Sequence, residues 1–462
     1  MTASPASTKL PIPHRADHAD RRLPPHFTGD PAADAELLTR QLAADQEQFD
    51  ALPDRSARTP AQQEKAAALQ HAGRLARHRF LRLHTGHVHD ELTDGRSRPL
   101  RVDELAFAAA ERYPGLVPTP ARIAADRQVA QAQKSGVEVD QGIFFSHVLR
   151  VRESGEHLLL SMLAPTARAL ALRTEFERTG HADLGRATVQ RDGRVAHVTI
   201  CNPEVLNAED DAVVEDLETA VDLALLDDRV AVGVLRGTVL SHPRHRGRRA
   251  FGAGINLTHL HQGRIGFVDF MLRRELGYIR KLMHGLHLEA AHDELLGPTG
   301  GKPWIGAVDS FAIGGAAQVA LVLDRVIAAS DAYFSLPALN EGIVPGAANL
   351  RLGRLVGDRM AHRMIFFGQE IAADSPAALT LCDEVVAPEA VDAAVAAAAA
   401  RLDDPAVLSN RRMSRLGQES NDAFRVYMSR YALEQSVRLH SPDVVAKLER
   451  TWLNRRRRPS VG

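Results

Sequence analysis

Two glycine-rich runs could do chemistry through their backbone N–H groups. Residues 250–257 read AFGAGINL, and residues 307–318 read AVDSFAIGGAAQ. Each run predicts a tight turn that opens into a helix, and the first N–H groups of a helix have no acceptor within it. Two such groups that converge can bind one oxygen on which negative charge develops. The pair therefore predicts an oxyanion hole, whereas either run alone is equally well explained by close packing of a strand against a helix.

The length, composition and charge of the chain limit the classes to which the protein can belong. With 462 residues, of which 45% are hydrophobic and 25% charged, the chain is long enough for two or three globular domains. The net charge of −1 gives no reason to expect a nucleic-acid partner, and the basic run at 455–458 is interpreted as a solvated tail. Two cysteines exclude a disulfide scaffold and fit a reducing cytoplasm. No segment predicts a signal peptide or a membrane span. We expect a cytoplasmic protein that makes no membrane contact.

The residue pattern divides the chain into five regions. Residues 1–28 lack an apolar period and are expected to be disordered. Residues 29–185 predict an all-helical domain, with a helix start at Thr59-Pro60 and helical runs over 103–112, 123–132 and 157–176. The remaining regions are an α/β core over 186–387, a helical region over 388–454 with helices at 391–402 and 422–439, and a basic tail over 455–462.

The core region combines strands and helices. It begins with alternating residues over 189–198 that predict a hairpin with Asp192-Gly193 at the turn. Strands are then predicted over 230–236, 304–308, 326–329 and 333–336, and helices over 209–226 and 314–323. Strands that alternate with helices imply right-handed crossovers. We therefore expect a spiral α/β core rather than a simple open sheet.

A family resemblance rests on both glycine runs, their spacing, and the segments 335–337 (SLP) and 342–347 (GIVPGA). Together they resemble the crotonase (enoyl-CoA hydratase/isomerase) superfamily over about residues 187–453. The resemblance implies a spiral ββα core, a homo-oligomer that is a trimer or a hexamer, and an acyl-CoA thioester as substrate. It also implies that the backbone N–H groups of Ile255 and Gly315 form the hole, with Ala253, Gly254 and Gly314 against the substrate. The dipole of the helix that begins there favours an anion.

The chain departs from this family where hydratases carry two glutamates that activate and deliver water. The matching positions hold Gln318 and Ala338. An amide does not exchange a proton near neutral pH, and a methyl group has none to exchange. Hydration is therefore not expected, and the hole is expected to stabilise an enolate. Glu341 does not match either position and is interpreted as a turn residue.

A narrower resemblance is to cofactor-free arylacetyl-CoA dioxygenases within the superfamily. It rests on the long helical N-terminal region, Gln318, and the segments 206–210 (LNAED), 241–244 (SHPR) and 273–277 (RRELG). The resemblance implies that molecular oxygen converts a dihydroxyphenylacetyl-CoA to the arylglyoxylate and CoA without metal, flavin or other cofactor. A benzylic carbon next to a thioester is acidic, and its enolate can give an electron directly to oxygen. Apolar residues such as Ile255, Leu257 and Ile343 would then exclude water, although each is equally well explained by core packing.

Four further predictions concern side chains. Glu209 is either a carboxylate at a helix start or, as the resemblance implies, an acceptor for the phenolic hydroxyls of the ring. Arg274 is either a solvated or ion-paired arginine, or a contact to the substrate or the CoA arm. Gln318 would orient oxygen or an intermediate without protonating it. The basic patch before the first glycine run suits the CoA phosphates, although a solvated loop explains each member equally well; its members are His242, Arg244, Arg246, Arg248 and Arg249.

The sequence gives less support to metal, dinucleotide and serine-nucleophile chemistry. Histidines cluster at 84–89, at 259–261 and at 284–292, but without the spacing or the carboxylate partner of a metal site. There is no dinucleotide-binding fingerprint and no nucleophile elbow. Two alternatives stay open: another crotonase-type acyl-CoA isomerase or thioester hydrolase, which would work without oxygen, and a noncatalytic CoA-binding subunit.

Overall fold

The computed structural model describes residues 26–243, 245–288 and 301–457, with side chains up to residue 450. Of the predicted disordered N-terminus only residues 26–28 are described, and of the predicted basic tail only residues 455–457, which end the last helix. None of the helices within them is long and apolar enough to cross a membrane.

Seven helices precede the first strand in the described part of the chain. Three of them begin with an N-cap side chain followed by proline, which has no N–H to leave unpaired in the first turn. The predicted helix over 157–176 is wrong, because Pro165 and the N-cap Thr166 divide it in two. The predicted helix over 123–132 begins and ends earlier. The helices are α1 (Pro31–Asp50), α2 (Pro60–Leu92), α3 (Val102–Arg112), α4 (Pro120–Asp126), α5 (Glu138–Arg150), α6 (Arg152–Ser161) and α7 (Ala167–Thr179).

Ten strands form two sheets in the described part of the chain. The larger sheet has the order β1-β2-β3-β4-β5-β7-β10, in which β1, β2 and β3 pair antiparallel and the remaining neighbours pair parallel. The smaller sheet has the order β6-β8-β9. The strands are β1 (His181–Asp183), β2 (Ala187–Asp192), β3 (Val195–Ile200), β4 (Val232–Gly237), β5 (Trp304–Val308), β6 (Phe311–Ile313), β7 (Arg325–Ala329), β8 (Tyr333–Ser335), β9 (Ile371–Ala372) and β10 (Glu384–Val386).

The predicted hairpin is confirmed. Asp192 pairs with Val195, which leaves a two-residue turn, and Gly193 adopts a φ of 55° there. The strand β5 has the predicted bounds. The parallel strands with intervening helices confirm the predicted α/β class.

The helices of the core connect these strands. A π-helix at Phe267–Leu272 runs directly into α10. The helix predicted over 314–323 is shorter than expected, because the chain tightens after Ala320 to enter β7. The core helices are α8 (Asp211–Leu226), α9 (Leu257–His261), α10 (Arg273–Leu276), α11 (Tyr278–His284), α12 (Gly315–Ala320), α13 (Ala338–Glu341) and α14 (Ala348–Phe367).

Four C-terminal helices complete the described chain. They are α15 (Val391–Leu402), α16 (Pro405–Gln418), α17 (Asn421–Leu439) and α18 (Pro442–Arg457). The helix α17 packs along α5 of the N-terminal half. One continuous hydrophobic cluster runs from α1 through the large sheet to α18. The predicted domain boundaries stay a prediction, and one apolar core crosses those after residues 185 and 387.

A buried ion network fixes α11 against α8. Nζ of Lys281 lies 2.9 Å from Glu218 and 2.8 Å from Asp222, and these side chains are fully buried. Arg101, the N-cap residue of α3, pairs with the same Glu218. Burial alone would raise the pKa of Glu218, but these cations outweigh it and hold the pKa well below its usual range. The network therefore ties the N-terminal helices to the element that follows Arg274.

Candidate functional site

The two glycine turns lie against each other. Residue Gly252 bridges to Ala312, and the N–H of Ile313 donates to the carbonyl of Gly252 at 3.0 Å. Gly254 has a φ of 76°, and a methyl group on it would lie 2.9 Å from the amide nitrogen of Gly315. Glycine is required here because any side chain would separate the two turns.

The backbone around Ile255 fixes the direction of its N–H. Glu209 donates its N–H to the carbonyl of Gly254 at 2.7 Å and accepts from the N–H of Asn256 at 2.7 Å. Gly315 is the first residue of α12, where an N–H has no acceptor within the helix. Among the described residues, neither the N–H of Ile255 nor that of Gly315 has a hydrogen-bond acceptor. The turns therefore present two neighbouring free donors, which is the arrangement an oxyanion hole requires.

Arg274 is the centre of the polar network beside these donors. Its Nε donates to Oε2 of Glu209 at 3.0 Å, and its Nη2 donates to the carbonyl of Gly315 at 2.6 Å. Its Nη1 donates to Oε1 of Glu275 at 2.8 Å and to Oε1 of Gln318 at 3.0 Å. Nη2 also lies 2.9 Å from Oε2 of Glu209. The guanidinium thus has all its N–H groups directed at protein acceptors and is only 4% exposed.

The two carboxylates of this network are also fully engaged. Oε1 of Glu209 accepts from the hydroxyl of Tyr278, and Oε2 of Glu275 accepts from the N–H of Ala347 at 3.1 Å. Burial lowers the pKa of Arg274, but Glu209 and the other negative groups outweigh it and raise the pKa above its ordinary value. Burial raises the pKa of Tyr278 well above its ordinary value, and the Glu209 carboxylate adds to this effect. At neutral pH the cluster therefore holds a charged arginine, a neutral tyrosine and paired carboxylates.

The geometry bears on the local-structure interpretations of Glu209 and Arg274. Arg274 is ion-paired with Glu209 and Glu275, as one interpretation of it states. The side chain that caps α8 is Asp210, which accepts from the N–H of Val213 at 3.2 Å, so Glu209 is not the capping carboxylate. Instead, Glu209 lies beside the hole: a methyl group on Gly315 would collide with its Oε2. The predicted contacts of Glu209 and Arg274 with a substrate stay predictions.

A narrow cavity of about 30 Å³ adjoins the two donors. Gln318 and Ala338 line it, so both positions that hold glutamates in hydratases face the site. Ile255 and Ile343 give it apolar walls, and Glu341 lies at its edge. Burial raises the pKa of Glu341 to about 7.

A second, larger cavity of about 480 Å³ lies on the other side of Ile255. His242, Ala253 and Leu257 line it, as does His245. The two cavities therefore share one residue of the hole, Ile255, and the larger one has the volume for part of a CoA arm.

The other described members of the predicted basic patch do not line either cavity. Nη2 of Arg248 pairs with Asp331 at 2.6 Å, and both side chains are about half exposed, at 48% and 49%. Nη1 of Arg249 donates to the carbonyl of Gly237 at 3.4 Å. Arg246 is exposed, and Arg244 lies outside the described residues. Of the described members of this patch, the structure therefore brings only His242 to a cavity wall.

The sequence pattern alone does not identify Tyr278 or Glu275 as site residues, and it leads to a wrong interpretation of Glu341. Tyr278 lies four residues after Arg274, a spacing that would place both side chains on one face of a continuous helix, but Gly277 separates α10 from α11. Glu275 gave no such signal. The interpretation of Glu341 as a turn residue is wrong, because it is the last residue of α13. It lies three residues after Ala338, one helical turn on, so both side chains lie on the same face.

Single histidines of the predicted clusters pair with carboxylates: Nε2 of His84 lies 2.7 Å from Asp34, and Nδ1 of His259 lies 2.9 Å from Asp210. Within the described ranges, no three His, Cys, Asp or Glu residues are grouped so that they could hold a metal ion. His292 lies outside those ranges.

Comparison with known proteins identifies the family. Residues 190–423 match the family model for enoyl-CoA hydratase/isomerase. The chain is 51% identical to the (3,5-dihydroxyphenyl)acetyl-CoA 1,2-dioxygenase of Amycolatopsis orientalis over 424 residues, which is 92% of this chain and 97% of that protein. It is 31% identical to the short-chain-enoyl-CoA hydratase of Clostridium acetobutylicum over 208 residues, 45% of this chain and 70% of that protein.

Among solved structures, an enoyl-CoA hydratase/isomerase from Pseudoalteromonas atlantica T6c aligns with 60% of this chain and 100% of its own at a TM-score of 0.47 and 21% identity. The family match and the 51% identical relative confirm the predicted superfamily and its crotonase-type fold. The chain therefore belongs to the enoyl-CoA hydratase/isomerase family of the crotonase superfamily.

Proposed function

We propose that this protein is a (3,5-dihydroxyphenyl)acetyl-CoA 1,2-dioxygenase that needs neither metal nor organic cofactor. The observation that carries the proposal is the extent of its likeness to the Amycolatopsis orientalis enzyme, which spans 92% of the chain. The match to the Clostridium hydratase covers only 45% of it. The likeness to the dioxygenase therefore extends well beyond the family domain, into the helical N-terminal half.

Binding begins at the backbone. The thioester carbonyl oxygen accepts from the N–H groups of Ile255 and Gly315, and the CoA arm leaves through the cavity lined by His242 and Ala253. Arg274 positions the second donor, because its Nη2 holds the carbonyl of Gly315 at 2.6 Å. Preformed donors of this kind are each worth a few kcal/mol to a developing oxyanion.

The hole then stabilises the enolate that forms when the α-carbon loses a proton. The enolate transfers an electron to O₂, and recombination forms a C–O bond at the α-carbon. The terminal peroxide oxygen attacks the thioester carbonyl and expels CoA as the thiolate. Loss of the second α-proton with cleavage of the O–O bond gives the arylglyoxylate. Both oxygen atoms end in that product and no water is consumed.

The residues around the cavity suit this sequence better than hydration. Gln318 and Ala338 supply no carboxyl group at the two water-activating positions. The amide oxygen of Gln318 accepts from Arg274, which leaves its NH₂ group as a donor for oxygen or a peroxide. Ile255 and Ile343 on the cavity wall limit access of water to the enolate.

One experiment tests the proposal. Chelator-treated protein is incubated with (3,5-dihydroxyphenyl)acetyl-CoA in air and under argon, and free CoA and the acid product are followed. We expect CoA release and arylglyoxylate in air only, unaffected by the chelator, with both atoms of ¹⁸O₂ in the product. Release of CoA under argon would indicate a thioester hydrolase, and no turnover in either atmosphere would favour a noncatalytic subunit. Loss of activity on chelation would contradict metal independence.

We also propose a homotrimer or hexamer and a cytoplasmic location, as the family resemblance and the two unpaired cysteines suggest. Size-exclusion chromatography with light scattering measures the assembly directly.

A further inference from the structure

We propose that Glu341 is the general base that removes the α-proton of the thioester. The assignment rests on the proposed function and deepens it, since it names the proton acceptor for the enolate. It stands on three features: the position of the carboxyl group, its lack of a partner, and the engagement of every other carboxyl group on the cavity wall.

Glu341 lies within reach of the reacting atoms. Its Oε1 is 3.8 Å from the position that a methyl carbon on Gly314 would occupy, and Gly314 immediately precedes the donor N–H of Gly315. A carbonyl oxygen bound by that N–H lies about 2.9 Å from its nitrogen. The α-carbon of the same thioester is less than about 3 Å from that oxygen. The α-carbon and the Glu341 carboxyl group therefore share the space next to Gly314.

The other carboxyl groups of the cavity are already used. Both oxygens of Glu209 accept hydrogen bonds, from Tyr278 and Arg274. Both oxygens of Glu275 accept as well, from Arg274 and the N–H of Ala347. Carboxylates held in this way are poor proton acceptors, because a proton would displace a charge-assisted hydrogen bond.

The carboxyl group of Glu341 has no such partner among the described residues. Two cations that bind the backbone on either side of Glu341 are directed elsewhere: Nζ of Lys447 donates to the carbonyl of Leu339 at 2.6 Å, and Arg438 donates to the carbonyl of Gly342 at 2.9 and 2.7 Å. Arg274 has its N–H groups occupied. A carboxylate without a counter-ion in a half-buried position retains its affinity for a proton.

The remaining polar groups on the wall do not compete. Burial raises the pKa of Tyr431 well above its ordinary value, so its hydroxyl stays protonated near neutral pH. Gln318 cannot take up a proton in this range. Because burial raises the pKa of Glu341 to about 7, this carboxyl group is matched to proton transfer near neutral pH.

Proton transfer from the α-carbon to Glu341 conserves atoms and electrons. The carboxylate of Glu341 takes one α-proton and becomes a carboxylic acid. The electrons of the broken C–H bond form a double bond between the α-carbon and the carbonyl carbon. The carbonyl π-electrons move to the oxygen, where the N–H groups of Ile255 and Gly315 bind the negative charge.

The test measures deuterium wash-in at the α-carbon of (3,5-dihydroxyphenyl)acetyl-CoA in D₂O under argon, by mass spectrometry, with O₂ uptake in air measured in parallel. Glu341→Gln is expected to slow wash-in ~10²–10⁴-fold and leave substrate affinity within about threefold. Glu341→Asp, which keeps a carboxylate, is expected to restore part of the rate. Glu434→Gln is the matched control, because Glu434 is an exposed carboxylate on the neighbouring α17. Its rate should equal that of the wild type.

The outcomes separate this assignment from the proposed function. Wash-in at the wild-type rate in Glu341→Gln overturns the assignment, and so does a loss of wash-in that is matched by a loss of binding. If the wild-type protein shows wash-in but takes up no O₂, the assignment of Glu341 as the base is retained and the proposed dioxygenase activity is refuted. If the wild type takes up O₂ but shows no wash-in, the rate of CoA release in a single turnover is measured instead. The assignment then requires that Glu341→Gln slow this rate by the ~10²–10⁴-fold expected for wash-in. A wild-type protein that shows neither wash-in nor O₂ uptake refutes both the assignment of Glu341 and the proposed function.

Discussion

Replacement of Arg274 by methionine tests whether this arginine organises the site. Arg274→Met keeps an unbranched side chain but leaves the carboxylates of Glu209 and Glu275 buried, each 2% exposed, without their cation. Removal of one partner of a buried ion pair typically costs 3–5 kcal/mol, roughly, because an uncompensated charge stays behind. We expect a loss of about 4 kcal/mol in the free energy of unfolding at pH 8.

Urea unfolding at pH 8 measures this loss, and CoA release measures the effect on the hole. The matched control is Arg248→Met, because the pair of Arg248 with Asp331 is about half exposed on each side. Exposed pairs are worth roughly 0–1 kcal/mol, so the control should change stability little. A loss in Arg274→Met of under about 1 kcal/mol would refute the role of Arg274 as the counter-ion of two buried carboxylates.

Three further predictions concern neighbouring residues. A methyl group on Gly315 would collide with Oε2 of Glu209 and lie 3.0 Å from Nη2 of Arg274, so Gly315→Ala should lower the rate of CoA release ~10²–10³-fold; a rate within threefold of wild type would contradict a hole at this position. Because folding raises the pKa of Glu341 from 4.5 to about 7, the wild type loses stability as pH rises through this interval. Glu341→Gln should therefore be more stable than the wild type by about 3 kcal/mol at pH 8 and equally stable at pH 4 in urea unfolding, and a midpoint equal to that of the wild type at pH 8 would be inconsistent with a raised pKa. Tyr278→Phe removes the hydroxyl donor to Oε1 of Glu209 and should cost about 1–3 kcal/mol in urea unfolding; an unchanged midpoint would show that this bond adds nothing to stability.

Much of the fold followed from local pattern. The hairpin around Gly193, the strand β5 and the helix α15 lie where the residue periodicity predicts them. The error over 157–176 came from treating Pro165 and Thr166 as helical, although proline disfavours the helix before it and threonine caps the next one. The long apolar core that crosses the predicted domain boundaries had no signal in the sequence, since it depends on contacts such as α5 with α17.

The sequence by itself determined the backbone of the site. The glycines at 254 and 314 allow positive φ and close approach, and the N–H of Gly315 is free because a helix begins there. It also determined what the site lacks, since the residue types at 318 and 338 exclude two water-activating carboxylates.

The tertiary structure alone decided how the side chains are paired. Glu209 and Arg274 are 65 residues apart, and Arg274 and Gln318 are 44 apart. The packing of α10, α12 and α13 around one cavity determines which carboxylates pair with Arg274. It also determines that the carboxyl group of Glu341 has no partner among the described residues. Local residue types specify donors and acceptors, but only the folded chain determines which of them are satisfied and which one remains available to take a proton.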